Sequence, residues 1–185
     1  MLNILRQEYN NLPEQEKRIL YWGLKIFFSE TSKFIILFIL FTIMNRKKEF
    51  LFTTIVLLLI RCNMGGLHYI TYYGCFTVTL IVYITSIIIF PAIIRLNPQT
   101  IILLLNICII LNIIIGPVIN PTRPLLDKAN VNKIKCKVGI LLLLYNLLAY
   151  LLTFNIYIQC GIWIIMEQTL QLAIAKIQRK ENAYE

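Results

Sequence analysis

The sequence predicts an all-α, polytopic integral membrane protein: a helical bundle of about six transmembrane helices with an N-terminal interfacial helix. Three observations carry that reading. Of 185 residues, 58% are hydrophobic and 15% charged, where a soluble domain has about 25% charged. The apolar residues lie in Ile/Leu/Phe runs near the ~20 residues that cross a bilayer. The basic residues sit in short clusters between those runs, as suits anionic headgroups and cytosolic loops. A net charge of +9 distributed this way gives no continuous basic face, so the expected partner is the lipid bilayer and no nucleic acid.

Each element follows from its own residues. Residues 1–25 form a cytosolic interfacial segment. Pro13 before Glu14 and Glu16 suits a helix first turn, where no donor is lost and acids meet the positive end of the dipole. Ile19, Leu20, Tyr21 and Trp22 supply the apolar and aromatic material that settles at a headgroup boundary. With Glu8 among its acids, no apolar core and no cleavage site, this stretch is not a signal peptide, and the N-terminus is expected to stay in the cytosol. Ile26–Met44 is the first span, with Glu30 and Lys33 one turn apart and able to neutralise each other. After a polar turn at 45–49, Phe50–Leu67 is the second candidate and contains Arg61. Phe76–Ile94 and Thr100–Ile119 are cleaner spans, divided by a turn at 95–99.

Residues 120–137 read as a basic loop, with Arg123, Lys128, Lys133, Lys135 and Lys137 against Asp127 alone. Gly139–Met166 is too long for one span; with Asn155 near its middle it reads as two helices joined by a tight break. The second runs into a polar cytosolic tail, Lys176–Glu185. The chain is thus one membrane-embedded domain, 1–185, with membrane helices over 26–175. Six spans with both termini cytosolic place thirteen basic residues inside and four outside, Lys33 left out. Three of the four lie in 45–49; a four-span alternative, with 26–67 as a re-entrant hairpin, removes that cost.

The five cysteines, at 62, 75, 108, 136 and 160, form no CxxC pair. An odd count without regular spacing argues against a disulfide framework and a zinc site, and no metal or cofactor is expected. Cys108 and Cys160 lie in apolar runs and read as small packing residues.

Chemistry concentrates in residues 61–75, RCNMGGLHYITYYGC. This stretch holds the sole histidine, His68, with Arg61, the pair Gly65 and Gly66, and two cysteines. Ionisable groups at membrane depth are costly and mark sites by default. An imidazole that takes a thiol proton leaves a nucleophilic thiolate, the chemistry of a cysteine peptidase. His68 and Cys75 are seven positions apart, so a continuous helix would separate them by about 10.5 Å. Proton transfer needs roughly 3 Å. If the two act together, the chain must fold back between them, and Gly65, Gly66 and Gly74 make sharp geometry cheap. On residue chemistry alone, Cys62 remains a rival nucleophile.

Arg61, Gly66, His68 and Cys75 in this spacing resemble the signature of the AgrB family, membrane endopeptidases of peptide quorum sensing in Gram-positive bacteria. A second stretch, GPVINPTRPL at 116–125, is similar to the family's proline- and basic-rich segment, with one basic residue, Arg123, where relatives often carry a lysine run. The resemblance implies Cys75 as nucleophile and His68 as base. Arg61, Gly66 and Gly74 become oxyanion, substrate or supporting candidates, and Arg123, Lys128 and Lys133 candidates for holding an acidic substrate tail. It further implies a plasma-membrane cysteine peptidase that acts on an AgrD-like precursor peptide. Such an enzyme cleaves the precursor's C-terminal tail through a thioester, permits thiolactone or lactone ring closure, and is a homodimer. The alternative is a non-enzymatic polytopic membrane protein, a transporter subunit or scaffold. That would explain the helices and the charge bias but not the signature. A lipid-using cysteine acyltransferase shares the nucleophile and predicts a lipidated product instead.

Overall fold

The computed structural model describes residues 13–67, 71–118, 128–152 and 155–181. Among them the chain is all-helical: α1 Glu14–Ile43, α2 Lys47–Met64, α3 Tyr72–Ile93, α4 Pro98–Ile115, α5 Lys128–Leu151 and α6 Ile156–Glu181. Four of these, α3 to α6, are long and apolar enough to cross a membrane. The chain is therefore a membrane protein, as its hydropathy predicts. α2 is a continuous helix that carries Lys47, Lys48 and Glu49 in its first turn and Arg61 in its last.

Two compact units divide the chain, 1–40 and 41–185. In the first, α1 starts after Pro13, whose carbonyl accepts from the Lys17 N–H at 3.0 Å. The helix runs without a break from the interfacial stretch into the apolar one. Lys33 Nζ meets Glu30 Oε1 at 2.6 Å, the neutralisation the spacing predicts.

In the second unit α6 is the central helix: 72% of its apolar window is buried, against 17% for α3. It packs on α2, α3 and α4, while α5 packs on α4 and α2. Because lipid is as apolar as leucine, association relies on close packing and on polar side chains turned inward. α6 supplies both. Gly161 leaves room for the Tyr145 hydroxyl, since a Cβ there would stand 2.0 Å from that oxygen. The hydroxyl in turn donates to the Ile158 carbonyl at 2.8 Å. Thr169 accepts from Asn112 Nδ2 of α4 at 2.9 Å, and Glu167 Oε1 accepts from the Thr85 hydroxyl of α3 at 2.6 Å.

α3 carries one π turn, Thr85–Ile89. Pro91 lies just beyond it and has no N–H to return to the preceding turn, so the ladder widens there. The Ile87 carbonyl faces the thiol of Cys160 at 3.9 Å. Cys108 and Cys160 are both buried, as packing residues should be.

Several boundaries differ from the sequence reading. α5 begins at Lys128, so Lys133, Lys135 and Lys137 lie on a helix and not in a loop. Val131, Ile134 and Val138 recur at helical spacing there, and their inward stripe sustains the helix despite the lysines. α6 continues to Glu181, so the start of the polar tail is helical too. α2 ends at Met64 and α4 at Ile115, each before a glycine. The break predicted near Asn155 is present, and the Asn155 side chain accepts from the Tyr157 N–H at 2.9 Å to start α6.

Candidate functional site, a glycine elbow beside a helix-borne thiol

The last turn of α2 carries Arg61, and the helix stops because Gly65 adopts φ +78°, a conformation that L side chains resist. Gly65 N–H still reaches the Arg61 carbonyl at 2.9 Å. The chain then passes so close to the segment after α4 that a Cβ on Gly65 would stand 2.2 Å from the Val118 carbonyl oxygen. Gly65 and Val118 form an isolated parallel bridge, with Val118 N–H donating to the Met64 carbonyl at 2.8 Å. Two sequence motifs, 61–75 and the stretch opening at Gly116, are thereby joined.

Gly116 ends α4 in the same left-handed way, at φ +71°. A Cβ there would stand 2.7 Å from Cε of Lys135, which comes over from α5. Lys176 of α6 donates to the Ile114 and Ile115 carbonyls, placing a cation on the negative end of the α4 dipole. Side chains of α5 and α6 therefore meet the end of α4, next to the segment that bridges to Gly65.

Arg61 turns back along its own chain: Nη2 lies 3.4 Å from the Leu67 carbonyl, at the edge of hydrogen bonding. Gly66 is constrained by space and not by φ. A Cβ on it would lie 3.2 Å from Gln168 Nε2 and 3.8 Å from Arg61 Nε. Gln168 Nε2 donates to the Gly65 carbonyl at 2.8 Å. Arg61 and Gln168 thus bracket the backbone that leads to residue 68.

His68 lies outside the described residues. The chain resumes at Thr71, in extended conformation, whose side chain accepts from the Gly74 N–H at 3.3 Å and caps α3. Cys75 sits half-buried in the first turn of that helix, its N–H bonded to the Thr71 carbonyl at 3.1 Å. Gly66, Leu67 and Thr71 are not helical, so no continuous helix joins Gly66 to Cys75. Gly74 is helical and makes no sharp turn, a correction to its expected role. Cys62 is exposed in the last turn of α2. Among the basic candidates, Lys133 is exposed on α5, Lys128 is the first residue of that helix, and Arg123 lies outside the described residues.

Sequence reasoning passed over Gln168, and gave Val118 and Lys176, both within stretches it named, no part in the site. A signal for the first was present: Glu167, Gln168 and Thr169 interrupt an apolar helix, and the rule applied to Arg61 applies equally there. Among the described residues, no group of three or more His, Cys, Asp or Glu side chains could hold a metal ion.

Fold and site together define a polytopic helical membrane protein with a braced glycine elbow and a cysteine at a helix start. The family described as accessory gene regulator B matches residues 1–172, and the chain belongs to that family, AgrB. An AgrB-like protein of Clostridium beijerinckii is 32% identical over 130 residues, which is 69% of this chain and 65% of that relative. The chain therefore matches slightly under two-thirds of that relative's length. No solved structure matches it.

Proposed function

We propose that this protein is a membrane-embedded cysteine endopeptidase that processes an AgrD-like signalling precursor, with Cys75 as nucleophile and His68 as base. The observation that carries the reading is the placement of Cys75 in the first turn of a capped helix. It follows directly on a signature segment whose backbone is fixed by Gly65, Arg61 and Gln168. Family membership supports the substrate class.

His68 takes the Cys75 proton, and the thiolate sulfur attacks the carbonyl at the junction of core and tail. The resulting imidazolium returns that proton to the departing amide nitrogen, the tail leaves as a free amine, and the core stays on Cys75 as a thioester. A cysteine or serine within the peptide then attacks the thioester. Its proton passes through His68 to the Cys75 sulfur as a thiolactone or lactone ring closes. Thioester exchange conserves acyl activation, so the cycle needs no nucleotide.

Lys133, with Arg123 and Lys128, attracts the acidic tail. Arg61 serves the reaction by holding the Leu67 carbonyl. The reading includes a homodimer in the plasma membrane with both termini cytosolic, which cross-linking and terminal tags would check.

The test is cleavage of a tagged precursor in membranes that carry wild type, Cys75→Ala, His68→Ala or Cys62→Ala. Release of the tail should fall below detection in the first two variants and persist in the third. Cleavage persisting without Cys75 would refute the reading.

A further inference from the structure

Gln168 is a polar residue at the middle of the central helix, with 1% of its surface exposed. A leucine or methionine would fill such a position without burying an amide. The amide's donor does not serve its own helix. It crosses to the Gly65 carbonyl, 103 positions away, at 2.8 Å. Its acceptor, Oε1, has no hydrogen-bond partner among the described residues, so the side chain is not placed there to satisfy itself. The same amide sets the space at the next residue, since a Cβ on Gly66 would lie 3.2 Å from Nε2 and 3.8 Å from Oε1. Arg61 closes on that point from the other side, with Nε at 3.8 Å.

We propose that Gln168 is a positioning residue for the proposed dyad: it holds the Gly65 carbonyl and bounds Gly66, and so fixes the backbone two residues before His68. This rests on the His68–Cys75 reading above and extends it by a residue from the far end of the chain. It also accounts for the small residue at 66. A side chain there would push the amide off Gly65, and the elbow would lose its hydrogen bond from α6.

The neighbouring pair provides the control. Thr169 also makes a buried polar contact between helices, to Asn112 at 2.9 Å, but without touching the elbow. A residue that merely stabilises the bundle should behave as Thr169 does.

The experiment measures alkylation of Cys75 in the full-length protein in lipid nanodiscs, resolved from the other cysteines by peptide mass spectrometry. The readout is the rate at pH 7 divided by the rate at pH 10, which cancels simple accessibility. His68→Ala should lower this ratio about tenfold, because the imidazole no longer takes the thiol proton. Gln168→Met, which keeps the volume, should lower it several-fold, and Gly66→Ala, which presses on the same amide, should act in the same direction. Thr169→Val should leave it at the wild-type value. A wild-type ratio in both Gln168→Met and Gly66→Ala, with His68→Ala still low, overturns the positioning role and leaves the dyad intact. An equal fall in Thr169→Val and Gln168→Met also overturns it, reducing Gln168 to packing. An unchanged ratio in His68→Ala removes the dyad, and the proposal with it.

Discussion

The two halves of the signature are held in place by opposite means. At the elbow, Gly65–Gly66–Leu67 is fixed chiefly by long-range contacts, Val118 after α4 and Gln168 from α6, with the Arg61 side chain adding one from the preceding helix. At the thiol, Thr71–Gly74–Cys75 is fixed locally, by a helix cap and the first turn of α3. A local scaffold forms wherever its own sequence allows. A long-range one exists only when the bundle is assembled. The difference teaches that the turn bearing the cysteine is set by its own neighbours, whereas the segment before the histidine depends on tertiary packing.

The sharpest way to break that asymmetry is Gly65→Ala. Its methyl would meet the Val118 carbonyl at 2.2 Å in a left-handed conformation, costing about 3 kcal/mol or more in strain and lost bridging. Precursor cleavage should fall more than ~100-fold, with reduced thermal stability in detergent. Gly66→Ala is gentler, because a flexible amide end can yield from 3.2 Å. It should cost about 1 kcal/mol and lower kcat about tenfold with little change in KM. Thr71→Ala removes only the cap of α3, at about 1 kcal/mol. It should lower cleavage a few-fold, and Thr71→Ser should restore it. The smallest effect is expected from Lys133→Glu with Lys137→Glu, both exposed on α5. KM should rise a few-fold at low salt, and the difference should vanish near ~0.5 M salt as screening removes the attraction. A Thr71→Ala defect larger than that of Gly65→Ala would invert the comparison.

The same split between local and long-range explains what the sequence made legible. Helix starts at Pro13 and Asn155, the Glu30–Lys33 pair and the buried Cys108 and Cys160 are written in neighbouring residues or in apolar runs. The first three turns of α5 were hidden because lysines at 133, 135 and 137 outweigh, by composition, the thin stripe of Val131, Ile134 and Val138 that folds them. Charge density says loop; spacing says helix. The bridge from Gly65 to Val118 and the reach of Gln168 to Gly65 could not be read at all. Gly65 and Gln168 each stand out locally, one in a glycine pair and one in a polar break of an apolar helix, but neither names its distant partner. For Gly66 the motif was legible and its physical reason was not: the constraint is the shared space between Arg61 and Gln168.

The central claim, that Cys75 carries the peptide as a thioester, is tested most directly by trapping it. A precursor whose internal cysteine or serine is replaced by alanine cannot close a ring, so the acyl group should remain on the enzyme. Intact-protein and peptide mass spectrometry should then find the leader and core, minus the tail, attached at Cys75 and released by hydroxylamine. Tail release with no adduct on Cys75, or with the adduct on Cys62, would contradict the account.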